Sequence, residues 1–392
     1  MPDGSCFFTN PTRNRLSMKQ AFTFLALAVC TAAAAQAPYH RDLAVLEINR
    51  EAPRTEFVEF ASREAALTRS FEQSDAYRSL DGVWKFRYVD DVRTLPADAT
   101  SAETDGSAWS DIRVPGNWEL QGHGTSIYVN TRYEFATIDP APPQLPEAIP
   151  AGVYRRTFTV PDAWAGRAVY LNVGAAKSSV YVYVNGREVG YNEDSKDPAQ
   201  YRIDGYLSPG ENTLALKMTR LSTGSYLECQ DFWRISGIER SVYLSAETPD
   251  ALRDFEVVST LDDTYRTGLF TLKMLLSGDK TVVAGYELLD REGRTVVSGR
   301  QQAAGEALFH AELPDVTRWT AETPDLYTLL MYVETPERTV YVPFRVGFRR
   351  FEFADIAERD AKGRPYRALL VNGQPVKFKG VNLHEHDPHT GH

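Results

Sequence analysis

The sequence predicts an all-β protein: a jelly-roll β-sandwich, then an immunoglobulin-like β-sandwich. Three observations carry this. Short apolar runs alternate with polar residues at period two, and Gly, Pro, Asn and Asp break them at short intervals. No stretch holds the 3.6-residue periodicity of a long amphipathic helix. The chain has 392 residues, room for two or three domains with sizeable cores, and its 43% hydrophobic and 24% charged content is that of ordinary folded domains.

The first element is a leader. Arg13, Arg15 and Lys19 precede an apolar run over 21–35, which ends in small residues up to Gln36 and Ala37. A basic start, a short apolar segment and small residues before a cut describe a signal peptide over 1–37, and a membrane anchor needs about 20 apolar residues. Cleavage is expected near Gln36 or Pro38, and Met18 is the better start because Lys19 then stands directly before the apolar run. A secreted or periplasmic protein is expected, with no membrane attachment after cleavage. Cys6 and Cys30 would leave with the leader, so Cys229 remains as a free thiol rather than part of a disulfide framework. The 43 basic and 53 acidic residues give a net charge of -10, which argues against nucleic acid or an anionic membrane as partner.

Residues 38–247 form the first predicted sandwich. Strand formers fill 153–160 and stop at Pro161-Asp162. The run 180–184 followed by Asn185-Gly186 and 187–191 is a hairpin, because Asn-Gly supplies the two positive-φ positions of a type I′ turn. Another turn over 206–212 leads into the strand 213–218. The pattern resets near Thr248-Pro249-Asp250. Strands at 255–258, 269–274, 282–289 and 326–333 then give a second sandwich over 248–345. From 346 to 392 a hairpin around Asn372-Gly373 leads to a stretch, 377–382, that carries Phe378 and Val381, and then to a histidine-rich end. Nothing follows to cover that stretch, as expected of the first strand of a further, incomplete domain.

Three polar clusters could carry chemistry. His384, His386, His389 and His392 surround Glu385 and Asp387. They read as a transition-metal site, as the polar end of a strand at a barrel mouth, or as a solvated tail. The order His384-Glu385-His386 followed by Pro388 does not fit two histidines on one helical face. The second cluster, 224–237, crowds Glu228, Gln230, Asp231, Phe232, Trp233 and Arg234 together, and the third joins Asn117-Trp118-Glu119 to 127–131. Carboxylates and amides make paired hydrogen bonds to vicinal hydroxyls while aromatic faces cover the C–H face of a sugar. The competing reading of the second cluster is a buried turn with Asp231 paired to Arg234 and Trp233 in a core. No Gly-rich phosphate loop, Gly-x-Ser-x-Gly elbow or paired-cysteine zinc motif is present.

In order, these clusters resemble glycoside hydrolase family 2, in its β-galactosidase branch. Val114-Pro115-Gly116-Asn117-Trp118 with Ile127-Tyr128-Val129-Asn130 is similar to the family's jelly-roll entry. The segment Gly224-Ser225-Tyr226-Leu227-Glu228-Cys229-Gln230-Asp231-Phe232-Trp233-Arg234 is the most specific match, and Gly380-Val381-Asn382-Leu383-His384-Glu385-His386 resembles the first strand of a (β/α)8 barrel. The resemblance implies a retaining hydrolase of terminal β-D-galactosides, in which Asn130, Asp231 and His384 contact substrate and Asp231 helps hold sodium. Magnesium is also implied, but its main ligands, like both catalytic glutamates, belong to later barrel strands absent from these residues. Glu385 matches a different position, so no catalytic residue is assigned and the chain alone is expected to be inactive. A stand-alone carbohydrate-binding protein and a part of a β-glucuronidase are the alternatives; homo-oligomers are common in the family, so the longer protein is a candidate for one. Phe232 and Trp233 are expected to shield Asp231 partly from water.

Overall fold

A computed structural model describes residues 37–130, 133–135, 141–229, 231–382, 387 and 389. Its first sandwich places a seven-stranded sheet against a four-stranded one. In spatial order the larger sheet runs Glu47–Ile48, Arg187–Asn192, Ser179–Val184, Glu211–Thr219, Ala151–Thr159, Gly82–Val89 and Ser110–Val114. The smaller runs Ala199–Arg202, Ala168–Val173, Val242–Glu247 and Tyr77–Ser79. All of these pairings are antiparallel. Trp84, Phe86, Tyr154, Leu171, Val182, Leu216 and Leu244 fill the space between the sheets. The Asn185-Gly186 hairpin forms as the sequence dictates, with φ of 51° and 73° at the turn and Val184 opposite Arg187.

The second sandwich holds three strands, Leu252–Leu261, Gly268–Leu276 and Glu306–Leu313, against four: Thr295–Ala303, Val282–Leu289, Tyr327–Glu334 and Thr339–Val346. Period-two burial is clearest in Gly268–Leu276, where Phe270, Leu272, Met274 and Leu276 point into the core. The all-β reading of the sequence is therefore right, and among the described residues no helix is long and apolar enough to cross a membrane.

One extended segment joins the two sandwiches. Phe57 enters the second core, while Phe60 exchanges backbone bonds with Tyr341 at 2.9 and 3.0 Å. Val58, Phe60 and Ala66 pack with Tyr77 and Tyr243 of the first sandwich and Leu289 and Leu330 of the second. Between them lies Glu59, whose carboxylate accepts from the Thr248 amide at 2.9 Å, the Thr248 hydroxyl at 2.6 Å and Arg167 Nη2 at 2.9 Å. Burial pushes its carboxyl upward, opposed by these donors. The joint is thus held by packing and by a buried carboxylate that accepts on both oxygens.

A three-stranded sheet, Phe351–Arg359, Pro365–Val371 and Gln374–Pro375, follows. The expected Asn372-Gly373 hairpin closes it, and the Asn372 side chain ties it back by accepting from Arg350 N and donating to Trp319 O, both at 3.0 Å. The expected barrel strand is not seen in the described residues: 376–382 has no regular structure, and Phe378 and Val381 are 84% and 87% exposed. A lone strand has no neighbour to satisfy its amides or bury its face.

Replacing Glu59 by Ala removes the nearest counter-charge of Arg167 and strands the Thr248 amide, so unfolding in urea should come about 3 kcal/mol more easily. Glu59→Gln keeps the acceptor and should cost less. A change under about 1 kcal/mol for the alanine variant would remove Glu59 from the joint.

Candidate functional site

The two sequence clusters around 117–130 and 224–238 meet by strand pairing. Gly116–Asn117 pairs with Gly237–Ile238, which also pairs with Ala176–Lys177. Gly237 has φ of 121°, and a Cβ there would lie 2.8 Å from Gly116 O, so only glycine permits this approach. Beyond it, Ile127–Val129 forms a two-stranded ribbon with Phe232–Arg234, with Trp233 opposite Tyr128 and Phe232 opposite Val129. The next residue on each side is Asn130 and Asp231, which that register brings side by side.

Alternation sets what the ribbon displays. Residues i and i+2 share a face, so Tyr128 and Asn130 on one strand, and Asp231 and Trp233 on the other, lie together. The contacts agree: Tyr128 Oη donates to Asp231 Oδ1 at 2.8 Å, and the Tyr128 and Trp233 rings meet edge to face at 6.0 Å. Asn130 and Asp231 are exposed and Trp233 is half-buried. The expected shielding of Asp231 is therefore not found; the carboxylate is presented to solvent beside an amide and two aromatic rings. It is Arg234, not Trp233, that is buried.

Beneath the ribbon Arg220, 8% exposed, gathers the loops. Its Nη1 donates to Thr125 O at 2.9 Å and lies 3.3 Å from Glu119 Oε1; its Nη2 donates to Glu134 Oε2 at 2.8 Å and Arg234 O at 3.1 Å. Glu119 Oε2 accepts from the Ser236 amide at 2.7 Å, and Asn117 Nδ2 donates to Ser236 O at 3.2 Å. Burial pushes the Glu119 carboxyl up to about 7, against the pull of Ser236 N–H and Arg220.

Glu228 and Cys229 of the second cluster are partly buried. Glu228 Oε1 accepts from Ser195 N at 2.8 Å and its other oxygen from the Ser195 hydroxyl, and burial raises its carboxyl. Burial also raises the Cys229 thiol, which disfavours the thiolate a nucleophile needs. Glu228 is thus a loop-closing group. His384 lies outside the described residues, as do Glu385, His386 and His392. Of the histidine-rich end, His389 lines a cleft with Gly116, Asn117, Gln121 and Glu239, and no group of three or more His, Cys, Asp or Glu able to hold a metal occurs among the described residues. Asp231 and Asn130 offer oxygen donors of the kind hard cations take, but too few to enclose one without further ligands. The sequence reasoning missed Arg220, whose only local signal is a charge at the end of an apolar strand.

Comparison with known proteins identifies the family of the two sandwiches. Residues 77–249 match the model of the sugar binding domain of glycosyl hydrolases family 2, and residues 251–349 match a second model of glycosyl hydrolases family 2. The chain belongs to glycoside hydrolase family 2. It is 34% identical over 358 residues to a β-galactosidase of Halalkalibacterium halodurans, covering 90% of this chain and 34% of that protein. It is 37% identical over 327 residues to a β-galactosidase of Streptococcus thermophilus, covering 80% and 30%. The chain therefore spans about a third of the length of these relatives. Among solved structures, a Bifidobacterium dentium β-glucuronidase matches with a TM-score of 0.63 and 21% identity over 81% of this chain and 54% of that one, a likeness of fold.

The folded protein holds the Glu119 proton more tightly than the unfolded chain, whose carboxyl titrates near the ordinary 4.5. The wild type should therefore lose up to about 3 kcal/mol relative to Glu119→Gln as pH rises from about 4.5 to about 7. Urea denaturation of both proteins at pH 5 and pH 8 measures this; parallel pH profiles would contradict it.

Proposed function

We propose that the chain is the sugar-binding portion of a secreted or periplasmic retaining β-galactosidase that hydrolyses terminal β-D-galactosides. The observation that carries this is the ribbon register, which gathers Tyr128, Asn130, Asp231 and Trp233 on one face. A carboxylate and an amide side by side can each bridge neighbouring sugar hydroxyls, and the aromatic pair offers an apolar surface to the ring's C–H face. Galactosides are preferred over glucuronides because the relatives at 34% and 37% identity are both β-galactosidases.

In this reading Asn130 and Asp231 orient the galactosyl group, with His384 completing the contact from the third unit. Asp231 contributes oxygens to a sodium ion, which would add positive charge where sugar hydroxyls bind. Magnesium is held by residues beyond this chain. The reaction itself needs two carboxyl groups about 5–5.5 Å apart, one as acid/base and one as nucleophile. No residue here is assigned either role, so these residues bind and position substrate without cleaving it. The leader over 1–37 directs export.

Asp231→Asn in the longer enzyme separates binding from structure. With an aryl β-galactoside, kcat/KM should fall at least tenfold, about 1.4 kcal/mol of transition-state stabilisation, with weaker sodium dependence and a nearly constant melting temperature. A fall in melting temperature with kinetics intact would make Asp231 a structural residue.

A further inference from the structure

The segment just after the expected leader cleavage point is built onto the same loops that carry the ribbon. Pro38 opens a single 3-10 turn over Tyr39–Arg41. His40 is 3% exposed; its Nδ1 lies 2.9 Å from Tyr181 Oη, and its backbone N donates to that hydroxyl at 3.2 Å. Its carbonyl accepts from the Thr223 amide at 3.1 Å, at the start of the loop that leads to Asp231. Tyr39 stacks on Tyr181 with ring centroids 5.5 Å apart and tilts against Tyr191 at 5.3 Å. Further along, Leu46 O accepts from Glu193 N, and Glu47–Ile48 pairs with Asn192 and Tyr191 at the sheet edge. Glu193 in turn accepts from the hydroxyls of Tyr191 and Thr223.

Arg41 reaches the other side of the same loop. Its guanidinium donates to three successive carbonyls, Leu145 O at 3.3 Å, Pro146 O, and Glu147 O at 3.0 Å. The neighbouring Gln144 carbonyl accepts from the Tyr226 hydroxyl, and Tyr226 O accepts from Tyr133 Oη at 3.1 Å. Two routes therefore converge on the turn at 223–228: the His40 carbonyl on Thr223, and Arg41 through 144–147 on Tyr226. Three adjacent carbonyls would otherwise be left to water, and a planar guanidinium suits such a fan of acceptors.

We propose that the strap 38–49 positions the substrate site, with Arg41 as its key positioning residue. It fixes the 223–228 turn and hence the register at which Asp231 leaves it. This rests on the sugar-binding reading of Asp231 only for its functional meaning; the mechanical coupling stands on the contacts alone.

Hydrogen–deuterium exchange of this chain tests it with Arg41→Met, Arg41→Lys and, as a control, Leu272→Ala in the second core. Arg41→Met should speed exchange of amides across 223–229 at least tenfold while the strands of 252–346 stay protected. Arg41→Lys, which keeps a donor but not the planar fork, should restore part of the protection, and Leu272→Ala should leave 223–229 unchanged. Unaltered exchange at 223–229 in Arg41→Met, or equal loosening by Leu272→Ala, overturns the proposal. The sugar-binding reading fails separately, if Asp231→Asn spares kcat/KM in the longer enzyme while Arg41→Met still frees the turn.

Discussion

The geometry of the site depends on one buried cation. Arg220 follows directly on the strand Glu211–Thr219 of the first sandwich, and its guanidinium bonds to Thr125 O, Arg234 O and Glu134 while facing Glu119. A charge buried this deeply is tolerated only when its donors are met. Its partners come from both halves of the site, one on each side of the ribbon. Meeting the needs of the arginine therefore fixes the approach of the two loops, and with it the pairing that aligns Tyr128 with Trp233.

That arrangement separates rigid support from exposed chemistry. Asn117, Glu119, Arg220 and Arg234 are buried, whereas Asn130 and Asp231 stand in solvent. A binding group held on bonded strands has little conformational freedom left to lose when ligand arrives. The inter-sandwich joint extends the same logic over a longer range. Glu59 and the cluster of Val58, Phe60, Tyr77, Tyr243, Leu289 and Leu330 hold the second sandwich against the first.

Much of the fold was legible because its signals are local. Asn185-Gly186 and Asn372-Gly373 specify hairpins by turn chemistry, and the alternation in 269–274 shows directly which side chains face the core. The composition of the site was legible for the same reason: Asp231 and Trp233 are near neighbours in one segment. What the residues could not show was a pairing between positions 103 apart, since no local pattern specifies which loop Tyr128 will meet. Nor did aromatic neighbours predict the exposure of Asp231, because alternation places Trp233 beside it on the ribbon face rather than over it. The stretch 377–382 reads as a strand, yet it has no regular structure, because a strand needs neighbours to satisfy its amides and residues alone do not supply them.

The central claim is that Asn130 and Asp231 act together on one sugar because the ribbon holds them side by side. A double-mutant cycle with Asn130→Ala and Asp231→Asn, read as kcat/KM of the longer enzyme on an aryl β-galactoside, tests it directly. Adjacent groups sharing one ligand should show a coupling of about 0.5–3 kcal/mol, so the second substitution costs clearly less once the first is made. Strictly additive losses would mean that the two side chains act at separate places, and the ribbon would not be the binding face.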